Sequence, residues 1–406
     1  MTGQARRIIV AGAGIAGLTA ALAFAARGCF VEIYERAPRL EEAGAGLQLS
    51  PNATRILASL GVIDALSPLA VRPEAVVLRD ARTLREVTRV PLGGGAERRW
   101  GAPYLVAHRA DLQGALLARL RSNDNIKLAT GAVVSGFASR PDGVTVAVER
   151  GGTTEEISGE LLVGADGVWS SIRELTGANG KSRFAGDVAW RSTLHAESPA
   201  GRAFQSIARS DVVTAFMHRS VHLIAYPVRG GSAVNLVALA KGQAFAKIRP
   251  EAADPDGLAA ALRGTAPGIA RLAQEAGPWT LWPLHTVAPA AQWTAAGRVV
   301  LIGDAAHAMT PFAAQGAAMA IEDAATLAAF VAAAPADMGG ALARYEAIRR
   351  PRIAQVSKRG ALNRFTWHAS GPVALARNLV LAVLPGAKLA ADLDWLYGWT
   401  VPEAES

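Results

Sequence analysis

The chain has 406 residues, 51% hydrophobic and 19% charged, enough apolar material for one large or two closely packed domains with a substantial core, which excludes global disorder. Its 42 Lys plus Arg against 34 Asp plus Glu give a formal charge of +8, yet no basic run interleaved with aromatics appears, so small anions are expected as partners rather than nucleic acid. Cys29 is the only cysteine, which excludes internal disulfides and multi-cysteine metal sites and points to a reducing cytoplasm.

Residues Arg7 to Ala11 read as a short buried strand, Ile15 to Arg27 as an Ala-rich helix and Phe30 to Tyr34 as the next strand, together one βαβ unit. The uncharged stretch Ile8 to Ala26 behind Arg6-Arg7 superficially resembles a secretory signal, but its glycines argue otherwise. Gly12-x-Gly14-x-x-Gly17 falls where the strand turns into the helix, and Glu35, followed by Arg36, ends the second strand. The first glycine permits the tight turn, the second lets the backbone approach a pyrophosphate, and the third lets helix pack on strand. Glu35 is placed to accept hydrogen bonds from ribose hydroxyls, and the helix N-terminus offers free amides and a partial positive charge. Dinucleotide binding is therefore expected, without separating FAD from NAD.

Further along, Arg109 to Arg121 has helical spacing, and Val133 to Val148 alternates around the turn Pro141-Asp142-Gly143. Leu161 to Ala165 reads as a buried strand running into Asp166-Gly167, with Ser170, Ser171 and Arg173 behind it. That arrangement places a carboxylate and exposed amides at a sheet edge, or else is an ordinary turn with an N-capping serine. From Gly186 to Pro283 the texture changes to alternating strands, Ala189 to Ala196, Val212 to Met217, His222 to Pro227 and Ala233 to Ala240, as in a separate sheet. Arg298 to Ile302 then returns to the buried pattern and leads into Gly303-Asp304-Ala305-Ala306-His307. Helices are expected over Gly316 to Ala334 and Gly340 to Ala369.

The tail from Pro372 to Trp399 is apolar but interrupted at Pro385-Gly386, so no run reaches the ~20 residues of a bilayer span, and internal packing or homodimer contact is expected of it. His285 and His307 have no partners at ligand spacing, so no metal is expected. The fold class is α/β, a Rossmann-like dinucleotide-binding domain interrupted by a mixed β-sheet substrate domain, with C-terminal helices. The expected boundaries are 1–72, 101–178 and 286–370 for the first domain, 73–100 and 179–285 for the second, and 371–406 for the tail.

The ordered set of the first glycine motif, GADGVWSSIR and RVVLIGDAAHAMTPFAAQGAAMAIEDA resembles the single-component flavoprotein aromatic hydroxylases, the salicylate hydroxylase and hydroxybenzoate hydroxylase family. The resemblance runs from about Arg6 to Arg352, and Gly44 to Leu57 also looks like family sequence. It implies FAD as cofactor, NAD(P)H as co-substrate, dioxygen as oxidant, and catabolic hydroxylation of a small phenolic acid through a flavin hydroperoxide. It further implies that Glu35 holds the adenosine ribose, Arg109 the FAD phosphates, Asp166 both FAD and NAD(P)H, and Asp304 the ribityl chain. Independently, the Gly316 and Ala317 amides at a helix start suit negative charge on a reduced flavin.

A phenol becomes a better nucleophile on deprotonation, which needs a base or relay. His222 and Tyr226 fall on one face of a strand and form the candidate relay; their pairing resembles a His and Tyr that contact substrate in hydroxybenzoate hydroxylases. The bland alternative is that both only pack. Arg191 is a candidate for a substrate carboxylate or the flavin, against a solvated or salt-bridged role. Pro311 and Phe312 are candidates at the substrate ring, Phe312 standing where several relatives carry a polar residue or His. Two other readings stay open: epoxidation or oxidation of a non-phenolic or polycyclic compound, and a flavin-binding interaction protein without turnover.

Overall fold

The computed structural model describes residues 5–40, 45–177, 180–244 and 255–403; Gly44, and residues 404–406 of the expected tail, lie outside the described residues. The chain is an α/β fold built on two large sheets, both of which contribute residues to one cavity. The first has six strands in the order Thr294–Ala295, Val299–Leu301, Leu161–Gly164, Arg7–Ala11, Phe30–Glu35 and Ile126–Thr130. All its pairs are parallel except the short edge strand Thr294–Ala295. Parallel strands covered on both faces require continuous apolar runs, and Ile8, Ile9, Val10, Leu161, Leu162 and Val163 are wholly buried. The helix Ile15–Ala25 covers one face of this sheet. A Cβ on Gly17 would lie 1.9 Å from the Gly12 carbonyl oxygen, so only glycine lets the helix leave the strand this closely.

The second sheet is mixed, with seven strands in the order Thr280–Thr286, Arg183–His195, Ala233–Lys241, Val221–Val228, Val213–Met217, Ala75–Asp80 and Glu86–Pro91. Only the pairing of Val213–Met217 with Ala75–Asp80 is parallel. Alternation divides its side chains between two faces. Trp190, Leu223, Ala225 and Ala238 pack under the helices Pro199–Gln205 and Pro267–Glu275. Arg191, Ile224, Tyr226, Val237 and Leu239 point the other way, into the space between the sheets. The strand expected at Ala189 to Ala196 begins earlier, at Arg183, because a register shift between Phe184 and Val188 lets it continue through Gly186.

The two long helices span Gly316–Ala333 and Met338–Trp367. The second starts two residues before the expected Gly340 because the Asp337 side chain accepts the Gly340 N–H at 2.8 Å and caps it. Helix Gly316–Ala333 is long and apolar enough to cross a membrane, but 72% of it is buried inside the fold. The tail is three helices, Gly371–Val383, Gly386–Ala391 and Asp394–Tyr397, broken where Pro385 removes an amide donor.

Candidate active site

The carboxyl ends of the parallel strands open into a cavity of about 650 Å³ that continues to the inner face of the mixed sheet. Ligand crevices form at such strand ends because loops diverge there and helix N-termini point inward. Gly12 takes φ +103°, and a Cβ on it would come within 2.6 Å of the Ala165 carbonyl oxygen. Gly14 differs: its φ is −73° and a Cβ there would meet nothing within 4 Å. Gly14 therefore keeps space clear rather than relieving strain. Replacing it with alanine should raise the FAD dissociation constant about tenfold, ~1.4 kcal/mol, while the apoprotein unfolds at the parent's denaturant concentration. Titration of apoprotein with FAD beside an unfolding curve checks both halves.

Glu35, Arg36 and Arg109 line the same end of the cavity. The Glu35 carboxylate accepts the Ala13 N–H at 2.7 Å and the Ala37 N–H at 2.8 Å, which fixes its orientation and leaves lone pairs for a ligand hydroxyl. Arg109 begins the helix Arg109–Arg121, capped by the His108 ring, which accepts the Ala110 N–H at 3.3 Å.

Asp166 lies across from the first turn. One carboxylate oxygen accepts from the Ser171 hydroxyl and the Ile172 N–H, both at 3.1 Å, while Oδ1 is buried without a hydrogen-bond partner. A buried acceptor left open is costly unless a ligand satisfies it. The Asp166 turn is tied to the third glycine site by Arg173, which donates to the Ala305 and Val168 carbonyls at 2.7 Å each. Asp304 faces the cavity from the first turn after Gly303. Gly316 and Ala317 line it where their helix begins, and a Cβ on Gly316 would again meet nothing within 4 Å. The open acceptor on Asp166, the clear space at Gly14 and Gly316 and the converging amides together fit a dinucleotide such as FAD. Gly17 lies outside this lining, in the helix–strand contact.

Behind Asp304, Glu322 and Asp323 are fully buried with Arg349. Asp323 accepts the Gly303 N–H at 2.9 Å, the His307 ring N–H and Arg349 Nε at 2.7 Å. Burial by itself pushes this carboxyl up, but His307, Arg349 and the Gly303 amide outweigh it and hold its pKa at about 2. Glu322 pairs with Arg349 and Arg352. The two acids fall within the third motif of the family resemblance, whereas their partners, in the run Arg349-Arg350-Pro351-Arg352, lie beyond that motif.

On the mixed-sheet side, Arg191, Tyr226 and Pro311 line the cavity. The Arg191 guanidinium lies 5.2 Å from the Trp282 ring centre, and its Nε has no hydrogen-bond partner. Burial and then the charge of Arg109 lower its pKa, opposed by Tyr226 and Asp304. Burial raises that of Tyr226, with Arg191 opposing. Gly46 must be a glycine here, because a Cβ would lie 2.7 Å from the Tyr226 ring.

His222 and Phe312 are placed otherwise than expected. Neither lines the cavity. His222 shares the strand face of Tyr226 but is roofed by Phe312, Trp367 and His368, with ring centres at 5.2, 5.1 and 5.1 Å. Its Nδ1 lies 3.4 Å from His368 Nε2, and burial followed by the neighbouring His368 holds its pKa well below the ordinary range. Alternation gave the correct face, but the roof comes from the Pro311–Ala313 turn and from the C-terminal end of helix Met338–Trp367 with His368 just beyond it, far along the chain. Conversely, the cavity is also lined by Gln48, Trp169 and Trp282, which were not among the candidates, and by His285, which was weighed only as a metal ligand. Gln48 is held by the Tyr104 hydroxyl at 2.6 Å, and the Trp169 ring meets the His285 ring at a tilt of 59° with centres 4.4 Å apart.

The FAD binding domain family matches residues 6–360. The chain is 34% identical over 395 residues to 3-hydroxybenzoate 6-hydroxylase 1 of Aquipseudomonas alcaligenes, covering 96% of this chain and 97% of that protein. It is also 34% identical over 404 residues to 3-amino-4-hydroxybenzoate 2-monooxygenase of Streptomyces cremeus, covering 98% and 97%. Among solved structures, Klebsiella pneumoniae HpxO complexed with FAD and uric acid superposes with a TM-score of 0.81 at 25% identity, covering 96% of this chain and 95% of that one.

Proposed function

The chain belongs to the FAD binding domain family and is an FAD-dependent aromatic monooxygenase of the group A hydroxylases; from that premise we propose that its substrate is a small aromatic acid bearing an electron-donating hydroxyl or amino group. The observation that carries the substrate class is Arg191, a cation with an unpartnered Nε beside Trp282 on the cavity wall. A planar guanidinium pairs bidentately with a carboxylate, and a flat indole beside it suits a flat ring. Both relatives reported above carry a benzoate in their names.

Bound FAD, reduced by NAD(P)H, supplies dioxygen activation and the transfer of one oxygen atom. The chain's own residues do the rest. In this reading Gly12, Gly14, Glu35, Arg36, Arg109, Asp166, Asp304, Gly316 and Ala317 hold the cofactor, and Arg191 orients the ring. Pro311, Ile224, Val237 and Leu239 exclude water from the reacting face. Tyr226 offers its hydroxyl on this wall to receive or return a substrate proton, and His222, held neutral behind Phe312, supports the start of the same strand. We place the enzyme in the cytoplasm, with the exposed Leu375, Leu379 and Val383 as homodimer contacts.

The test is NAD(P)H oxidation by the FAD-loaded protein against hydroxybenzoates, aminohydroxybenzoates and hydroxynicotinate under labelled dioxygen. At least one acid should accelerate oxidation and carry one labelled oxygen in its product. Acceleration that yields only hydrogen peroxide for every acid, or oxygenation only of compounds lacking a carboxylate, would overturn the reading.

A further inference from the structure

We propose that the C-terminal segment Asp394–Trp399 is a strap that positions the flavin-binding turns from behind, so that FAD affinity depends on residues that never touch the cofactor. This rests on the reading of the cavity as the FAD site. The strap is fastened at both ends. Arg99 donates to both Asp394 carboxylate oxygens at 2.6 Å, and Trp100 Nε1 donates to one of them at 2.8 Å. At the far end Arg55 donates to the Trp399 carbonyl at 2.7 Å.

Between these points the strap completes the buried charge cluster. Arg352 donates to the Trp395 carbonyl at 2.7 Å and the Leu396 carbonyl at 2.8 Å, and from the same guanidinium to Glu322 at 2.8 Å. The Trp399 ring lies 5.0 Å from the Arg349 guanidinium carbon and 5.2 Å from that of Arg352, shielding both cations from water. From this cluster two rigid connections reach the cavity wall. Glu322 accepts from Asn52 at 2.6 Å, beside the Ser50–Gln315 pair where helix Gly316–Ala333 begins. Arg349 holds Asp323, which holds the Gly303 amide and hence the Asp304 turn. A third route runs from Tyr397, whose ring meets Tyr104 edge-on at 5.8 Å, through the Tyr104 hydroxyl to Gln48 on the wall.

The physical reason for coupling is dielectric. Charges screened from water hold their geometry tightly, and the same charges hydrated from one side hold it loosely. Removing Trp399 opens Arg349 and Arg352 to solvent and loosens Gly303 and Gln315 at the far side of the cluster.

The experiment compares Trp399→Ala, Trp399→Phe and a chain ending at Leu393, each as apoprotein titrated with FAD by flavin fluorescence beside apoprotein melting. Trp399→Ala should raise the FAD dissociation constant about tenfold, the scale of a lost desolvated cation–π contact, with Trp399→Phe within about threefold of the parent. The truncated chain should bind more weakly still, and saturated Trp399→Ala should show a displaced flavin absorption band. Should the truncated chain not fold, the two substitutions decide. FAD affinity and spectrum unchanged in Trp399→Ala, with only the melting temperature lowered, would reduce the strap to ordinary packing and overturn the proposal. A parent chain that binds no FAD would instead fail the reading of the cavity.

Discussion

Arg191→Met should raise the KM for an aromatic carboxylate roughly 50-fold while leaving the FAD dissociation constant within about twofold of the parent. The magnitude follows from removing a charge-assisted hydrogen bond in a water-poor cavity, about 1.5–3 kcal/mol. Methionine keeps the volume and its contact with Trp282, so the change isolates charge and donors from packing. Two readouts separate the roles open to this residue. If Arg191 anchors substrate, KM rises and a neutral analogue without the carboxylate binds parent and variant alike. If it holds the cofactor, FAD affinity falls first. An unchanged KM would remove the carboxylate anchor and with it the argument for an aromatic acid.

The electrostatic surroundings make the expected effect large. Arg109 and Arg191 both line the cavity and Arg109 lowers the pKa of Arg191, an effect that Asp304 opposes. An anion arriving at this wall therefore meets two guanidinium groups. Arg191→Lys tests geometry against charge: lysine restores the charge but not the planar fork, so its KM should fall between parent and methionine variant.

What the sequence disclosed follows the range of the interactions. The glycine turns were legible because each answers a local demand: a positive φ at Gly12, helix–strand approach at Gly17 and clear space at Gly14. Strand faces were legible for the same reason, since the period of two is set by adjacent residues, and it put His222 and Tyr226 on one face of their strand. The roof over His222 was not, because Phe312 and His368 reach it from 90 and 146 positions further along. Nor was the pairing of Glu322 and Asp323 with Arg349 and Arg352, which depends on how two helices pack. Gln48 escaped notice because its role depends on Tyr104, a buried partner on the paired strand side.

That buried cluster carries the largest expected loss of stability. Arg349→Met removes the partner shared by two wholly buried carboxylates, and breaking one buried pair typically costs about 3–5 kcal/mol because the remaining charge is uncompensated. A clear drop in the denaturant midpoint at pH 7 is expected, together with weakened FAD binding because Asp323 no longer holds Gly303 firmly. Acid supplies an independent check. In the parent, Asp323 has a pKa of about 2, below its ordinary 3.8, so its contribution is fully present above about pH 4 and is lost as pH falls toward 2. A depression of that size corresponds to roughly 2–3 kcal/mol. In the variant only the His307 ring and the Gly303 amide still oppose burial, so burial gains the upper hand and the carboxyl accepts a proton at higher pH. The gap between parent and variant should therefore narrow as pH is lowered from 7 to 4. Adding Asp323→Asn to Arg349→Met should recover part of the loss, since the carboxylate left with only the His307 ring and the Gly303 amide is neutralised while Glu322 keeps Arg352. A variant as stable as the parent at pH 7, or a gap that widens on acidification, would show that these charges do not hold the turn beneath Asp304.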